Sequence, residues 1–167
     1  RIHQLLAPTT IKETLIGIRA FDGFVMGASS LHVPGTPAVS EFRTTGLFLS
    51  LQACSGEKPS LKVVHTIKHL MKILLPTKLR YATEDIEIVL SPSQPDPEIG
   101  QPCILIYDNH PDGDCFTKHL AVVPADFWGD LMELAYQLLL ACPCQHGCWH
   151  CIFLPDCRDN VEGSGGP

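Results

Sequence analysis

Cys142-Pro143-Cys144-Gln145-His146-Gly147-Cys148-Trp149-His150-Cys151 places four thiols within ten residues, near the C-terminal end of a 167-residue chain. Zinc takes four soft or borderline ligands in a tetrahedron, with sulfur at about 2.3 Å, and two close cysteine pairs joined by a turn can supply them. Gly147 stands between the pairs, where a glycine lets the chain reverse through left-handed backbone angles without steric cost. Two residues separate Cys148 from Cys151, a common knuckle spacing, whereas a single residue separates Cys142 from Cys144. Rival readings are buried thiols without metal, a disulfide pair, and a redox Cys-x-x-Cys centre at Cys148 and Cys151. Apolar packing gives no reason for four thiols this close. A redox motif of that kind opens a helix, whose dipole lowers the thiol pKa, and here a helix precedes the motif. His146, His150 and Cys157 are the other side chains able to replace one ligand. Four thiolates with no open position make a site structural, so Zn2+ here would stabilise a fold and activate no water.

Working outward, the segment that delivers the chain into the cluster reads as a long helix. Asp126 is its expected N-cap, and Trp128, Leu131, Leu134, Ala135, Leu138 and Ala141 form its expected buried side. Residues 103–107 are nearly all apolar, as in a central strand covered on both faces. A turn over 108–114 and a short helix over 116–122 follow it. Residues 86–90 read as another strand, and 91–102 as a loop with four prolines. Leu61, Val64, Ile67, Met71 and Leu74 recur at helical steps, Pro76 is the expected end of that helix, and Lys62, Lys68 and Lys72 mark its solvated face. In 42–51 the two-residue period puts Leu47, Leu49 and Leu51 on one face of a strand. Residues 14–21 and 24–26 flank Asp22-Gly23, a hairpin dipeptide, and 31–37 reads as an extended connector. The expected fold is α+β: a mixed or antiparallel sheet covered by two main helices, with a C-terminal four-cysteine zinc knuckle. Residues 1–158 are expected to form a single zinc-binding domain, with 159–167 as a flexible tail.

Hydrophobic residues make up 45% of the chain and charged residues 18%, enough apolar material for a core and too much for a disordered chain. The net charge of −6 gives no overall positive field for phosphate, so contact with nucleic acid has to be local or supplied by a partner. Eight cysteines without a signal segment point to a reducing, cytoplasmic setting, and no apolar run reaches the ~20 residues of a membrane span. The chain starts at Arg1 and ends in a Gly- and Ser-rich string, so a fragment of a longer chain, or a trimmed or tagged one, is expected. His65 and His69 lie four apart on the expected helix, the spacing of paired zinc-peptidase histidines. Thr66 replaces the general-base glutamate, so surface or helix-end histidines are expected. Asp108, Asp112, Gly113 and Asp114 only partly match a calcium loop, because His110 takes a ligand position and no glutamate closes it, so a polar turn is expected. There is no phosphate-cradling Gly-x-x-x-x-Gly-Lys-Ser/Thr run and no Gly-x-Ser-x-Gly elbow. No catalytic residue and no small-molecule substrate are expected.

Several blocks together resemble a known family. Thr44-Thr45-Gly46-Leu47-Phe48, His65, Leu70, Glu84-Asp85-Ile86, the run 106–113 and the cysteine cluster look like the mitomycin repair factor A zinc-binding domain, over residues 40–152. That domain sits at the C-terminus of DEAD/DEAH-box superfamily 2 helicases and in some phage-defence proteins. The resemblance implies Cys142, Cys144, Cys148 and Cys151 as the zinc ligands. It also implies an accessory role beside an ATP-driven helicase in DNA repair or defence, with a helicase motor in cis or trans, and DNA, as partners. Two departures stand out. Asp112, Asp114 and Cys115 occupy a turn that is glycine-rich in the family, which disfavours a phosphate nest, and Trp149 and His150 replace a proline and a small residue. Alternatives are a protein-interaction module without nucleic-acid contact, a thiol-disulfide oxidoreductase using Cys148 and Cys151, and a decayed remnant. The sequence assigns no nucleic-acid-binding residues.

Overall fold

In a computed structural model, residues 2–14, 17–19, 25–27, 39–53, 56–79, 81, 84–91, 102–110, 116–155 and 157 are described. The chain runs through β1 (Ile2–Thr14), β2 (Gly17–Arg19), β3 (Val25–Gly27), β4 (Val39–Leu51), α1 (Leu61–Leu79), β5 (Ile86–Leu90), β6 (Cys103–Asp108), α2 (Phe116–Ala121) and α3 (Ala125–Ala141). One sheet has the order β1-β4-β6-β5, and every neighbouring pair in it is antiparallel. Of the two sheet types left open by the sequence, the antiparallel one is therefore present. Strands β2 and β3 pair separately, Gly17 opposite Gly27. The expected Asp22-Gly23 turn, the connector over 31–37, most of the proline loop, residues 111–115 and the tail at 159–167 lie outside the described residues.

Period-two alternation on β4 and β6 sorts their side chains onto two faces. Leu47, Leu49 and Leu51 join Ile104 and Ile106 on the helix-covered face, while Phe48, Cys103, Leu105 and Tyr107 cluster on the other. All six residues of β6 are buried, as its near-continuous apolar run requires of a central strand. Strand β1 was not expected: its sequence alternates poorly and contains Pro8. As an edge strand it can carry a residue without an N–H, and it pairs with β4 along its whole length, from Ile2 opposite Leu51 to Thr14 opposite Val39.

Helix α1 covers one face with Val64, Leu70, Met71, Leu74 and Leu75, while Leu61 at its start is 60% exposed. Pro76 does not end this helix, contrary to expectation, and lies inside it, three residues before Leu79. A proline there removes one backbone bond, and the helix nonetheless continues because Leu75 is buried beside it and Leu79 packs against the core. Of the lysine face, Lys62 is exposed, but Lys72 pairs with Glu87 of β5 at 2.6 Å.

Helix α3 starts one residue before Asp126. Pro124 is the N-cap, without a side-chain cap bond, and Asp126 lies in the first turn, where its charge suits the helix dipole. Trp128, Leu131 and Ala135 are buried and Leu138 packs partly against the core, forming one stripe. Leu134 and Ala141 sit further round the helix and are exposed, a correction to the expected buried side. Gln4 on β1 ties these parts together: its side-chain amide donates to the Ala121 carbonyl at 2.9 Å and its oxygen accepts from the Trp128 indole at 3.3 Å. No described helix is long and apolar enough to cross a membrane.

Asp108 departs furthest from its expected place in a polar turn. It is the last residue of β6 and is buried. One carboxylate oxygen accepts from the backbone N–H groups of Phe116 and Thr117 at 3.2 and 3.3 Å, and the other accepts from the Thr117 hydroxyl at 2.7 Å. The Asp108 carbonyl accepts from Thr44 Oγ1 at 2.9 Å. It therefore caps α2 from the end of the central strand, satisfying donors that a helix start leaves open.

Candidate metal centre

Helix α3 ends at Ala141, where the Cys142 N–H bonds back to the Leu139 carbonyl and its backbone turns extended. The extended exit directs the chain off the helix axis and lets Cys142 and Cys144 face the second pair. Gly147 has φ +90°, the left-handed angle that the reversal between the pairs needs. Beyond it the Cys148 carbonyl accepts from the N–H groups of Cys151, Ile152 and Phe153 at 3.0–3.1 Å, and the Cys148 N–H donates to Cys151 Sγ at 3.2 Å. This tight turn brings Cys151 back over Cys148.

The four sulfurs converge. Cys142 Sγ is 3.4 Å from Cys144 Sγ and 3.5 Å from Cys148 Sγ, Cys144 Sγ is 3.5 Å from Cys151 Sγ, and Cys148 and Cys151 are 3.7 Å apart. All four lie within 4.8 Å of one another. A tetrahedron with sulfur at ~2.3 Å from its centre has edges of ~3.8 Å, so the cage has the size that zinc requires. The described cysteines are all free thiols, none paired as a cystine. Cys148 and Cys151 are not an isolated dithiol, because each also meets a sulfur of the first pair. Burial pushes the Cys151 thiol up to about 12, with the Cys148 backbone bond opposing and the neighbouring thiols reinforcing the rise. Such a group becomes thiolate near neutral pH only beside compensating positive charge, which a divalent cation supplies.

The three substitute ligands are placed elsewhere. His146 and His150 are exposed and stand outside the four-sulfur group. Cys157 lies against α1, its sulfur 3.2 Å from His65 Nε2. His69, expected at the surface, is buried, and its Nδ1 meets the Ile152 carbonyl at 2.6 Å, which ties α1 to the residue following Cys151. The four-residue spacing of His65 and His69 was the available signal for this contact, but the partner lies 83 positions away.

Gly147 provides a direct test of the cage. A β-carbon there would overlap Ile152 Cδ1 and lie 2.7 Å from its Cγ1, in a backbone conformation that side chains rarely adopt. Gly147→Ala is expected to cost about 1–2 kcal/mol and to weaken zinc retention against a competing chelator about tenfold. Retention equal to that of the parent chain would show that the turn tolerates a side chain.

An antiparallel α+β domain closed by a four-thiol knuckle at the end of its last helix is a structural zinc-binding module. The sequence pattern of the MrfA Zn-binding domain matches residues 67–152, more than half of the chain, and the chain belongs to that family. Zinc is accordingly its metal. An ATP-dependent helicase of Bacillus subtilis (strain 168), YprA, described as uncharacterized, is 26% identical over 148 residues, which cover 87% of this chain and 18% of that protein. Two crystal structures of the DUF1998 helicase MrfA share the fold. The one bound to DNA has a TM-score of 0.54 at 19% identity and is matched over 90% of this chain and 23% of its own. The one bound to DNA and AMPPNP has a TM-score of 0.51 at 20% identity, over 90% and 20%. The chain thus spans about a fifth of the length of these relatives.

Proposed function

We propose that this chain is a zinc-stabilised accessory module of an ATP-dependent DNA helicase engaged in repair or defence, which positions nucleic acid or a partner subunit against the motor. In this reading Cys142, Cys144, Cys148 and Cys151 ligate one structural Zn2+, residues 1–158 form one domain, and the setting is reducing and cytoplasmic. The observation that carries it is the convergence of four thiols to tetrahedral spacing at the end of α3, in a chain whose relatives are helicases. The module performs no catalysis of its own, since a four-thiolate cage has no position for a substrate and the sequence has no phosphate-cradling loop. The ATP-driven work belongs to the motor.

The charge of −6 favours a second reading, a module that contacts protein and not nucleic acid. Tyr136 and Leu140, one turn apart on α3, are 55% and 62% exposed, with Leu134 and Leu139 also open to solvent. Apolar residues grouped on one helix suit packing against another body. Fluorescence anisotropy with a labelled single strand separates the readings. The DNA-positioning reading expects binding at low salt that weakens steeply as salt rises, because phosphate contacts release counterions. No binding at any salt, together with retention by a helicase motor fragment, would favour the protein-only reading.

A further inference from the structure

Among the described residues a second group of metal-type donors lies apart from the four-sulfur cage. His65, His69 and Cys157 each bring one ligand atom within 4.8 Å of the others. The two histidines share a face of α1 because they are four residues apart, with ring centroids 4.5 Å apart and edge-on. Cys157 comes from 92 positions away to meet His65 Nε2 at 3.2 Å. For a zinc centre with sulfur at ~2.3 Å and nitrogen at ~2.0–2.1 Å, tetrahedral geometry puts sulfur and nitrogen roughly 3.5 Å apart, close to that separation. The hydrogen bond of His69 is the second observation. Nδ1–H donates to the Ile152 carbonyl, which places the lone pair on Nε2, itself buried. A backbone carbonyl fixing the tautomer and tilt of the ring in this way is the usual support of a metal-bound imidazole. Ordinary packing accounts for a buried histidine tied to a carbonyl. It gives no reason for a second imidazole and a thiol from beyond the knuckle to converge on the same point.

We propose that His65, His69 and Cys157 form a second divalent-metal site of the zinc class, distinct from the four-cysteine cage. Two imidazoles and a thiolate are borderline donors suited to zinc, and three protein ligands leave a fourth position for water or an external ligand. This site fastens the segment after Cys151 to α1, so it locks the knuckle against the helix that lines the core. It does not depend on the helicase-module reading.

The test is metal counting on the reduced 167-residue chain after zinc loading and gel filtration. Two zinc ions per chain are expected, falling to one in both Cys157→Ala and His65→Ala. One zinc in the parent chain, unchanged in both variants, overturns the second site and leaves the four-cysteine cage standing. Cobalt loading gives a readout that misfolding does not mimic. Subtracting the Cys157→Ala spectrum from that of the parent should leave four-coordinate cobalt bands with weaker thiolate charge transfer than the cage itself shows. A flat difference spectrum, with the cage bands intact in both proteins, overturns the proposal.

Discussion

Cys148→Ser is expected to remove one tightly held zinc equivalent and to lower stability by about 3–5 kcal/mol, the scale of losing a structural metal site from a domain that keeps a core of its own. The reasoning starts from the cage. The Cys148 sulfur meets both Cys142 and Cys151, and its carbonyl anchors the N–H groups of the following turn. A serine oxygen is a harder and shorter donor and leaves three thiols without their fourth corner. With the cation gone, the three remaining thiolates take up protons and lose the metal bonds that hold them 3.4–3.5 Å apart, and the turn opens. The sheet and α1 should survive, because their core is formed by Leu47, Leu49, Val64, Ile104 and Ile106, away from the sulfurs. At 2–4 °C per kcal/mol for a chain of this size, the expected drop in Tm is roughly 10 °C. Chelator added to the parent chain should reproduce it, and added to Cys148→Ser should cause a much smaller shift. A variant that retains the full zinc content and Tm would remove Cys148 from the ligand set.

Asp108→Ala is expected to cost about 3 kcal/mol through a wholly different device. Two backbone N–H groups and the Thr117 hydroxyl point at this carboxylate. The hydroxyl also reaches the Thr45 carbonyl at 3.3 Å, so the donors left open are the Phe116 and Thr117 N–H groups. Thr117 is fully buried, so water cannot easily replace the lost acceptor there. A buried donor left without a partner costs about 1–3 kcal/mol, and the loss of a helix cap alone about 1. Asp108→Asn keeps one acceptor oxygen but turns an NH2 group toward its neighbours, so a loss of about half that size is expected. Urea unfolding at an unchanged m value reads both, as a lower midpoint. A midpoint within experimental scatter of the parent for Asp108→Ala would mean that α2 finds another cap.

Much of this architecture follows from local pattern. The alternation of Leu47, Leu49 and Leu51, the apolar run of β6, the helical period from Val64 to Leu74 and the exact span of β5 are properties of neighbouring residues, and short-range geometry alone converts them into faces. The convergence of the four cysteines is nearly as local, since ten residues with a glycine at the reversal can hardly place the thiols far apart. Where local pattern failed, a long-range term had outweighed it. Pro76 stays helical because Leu75 and Leu79 find the core, and β1 forms in spite of Pro8 because β4 offers it thirteen partners along an edge.

By itself the sequence determined the α+β class, the central strand and the four-thiol knuckle, because each is encoded by residues close together along the chain. Only the tertiary structure decided that Asp108 caps α2, that His69 is buried against Ile152, and that Cys157 meets His65 and not the cage. Those contacts join residues 8, 83 and 92 positions apart, and their partners are selected by how the sheet and helices pack. No periodicity in the sequence carries that information.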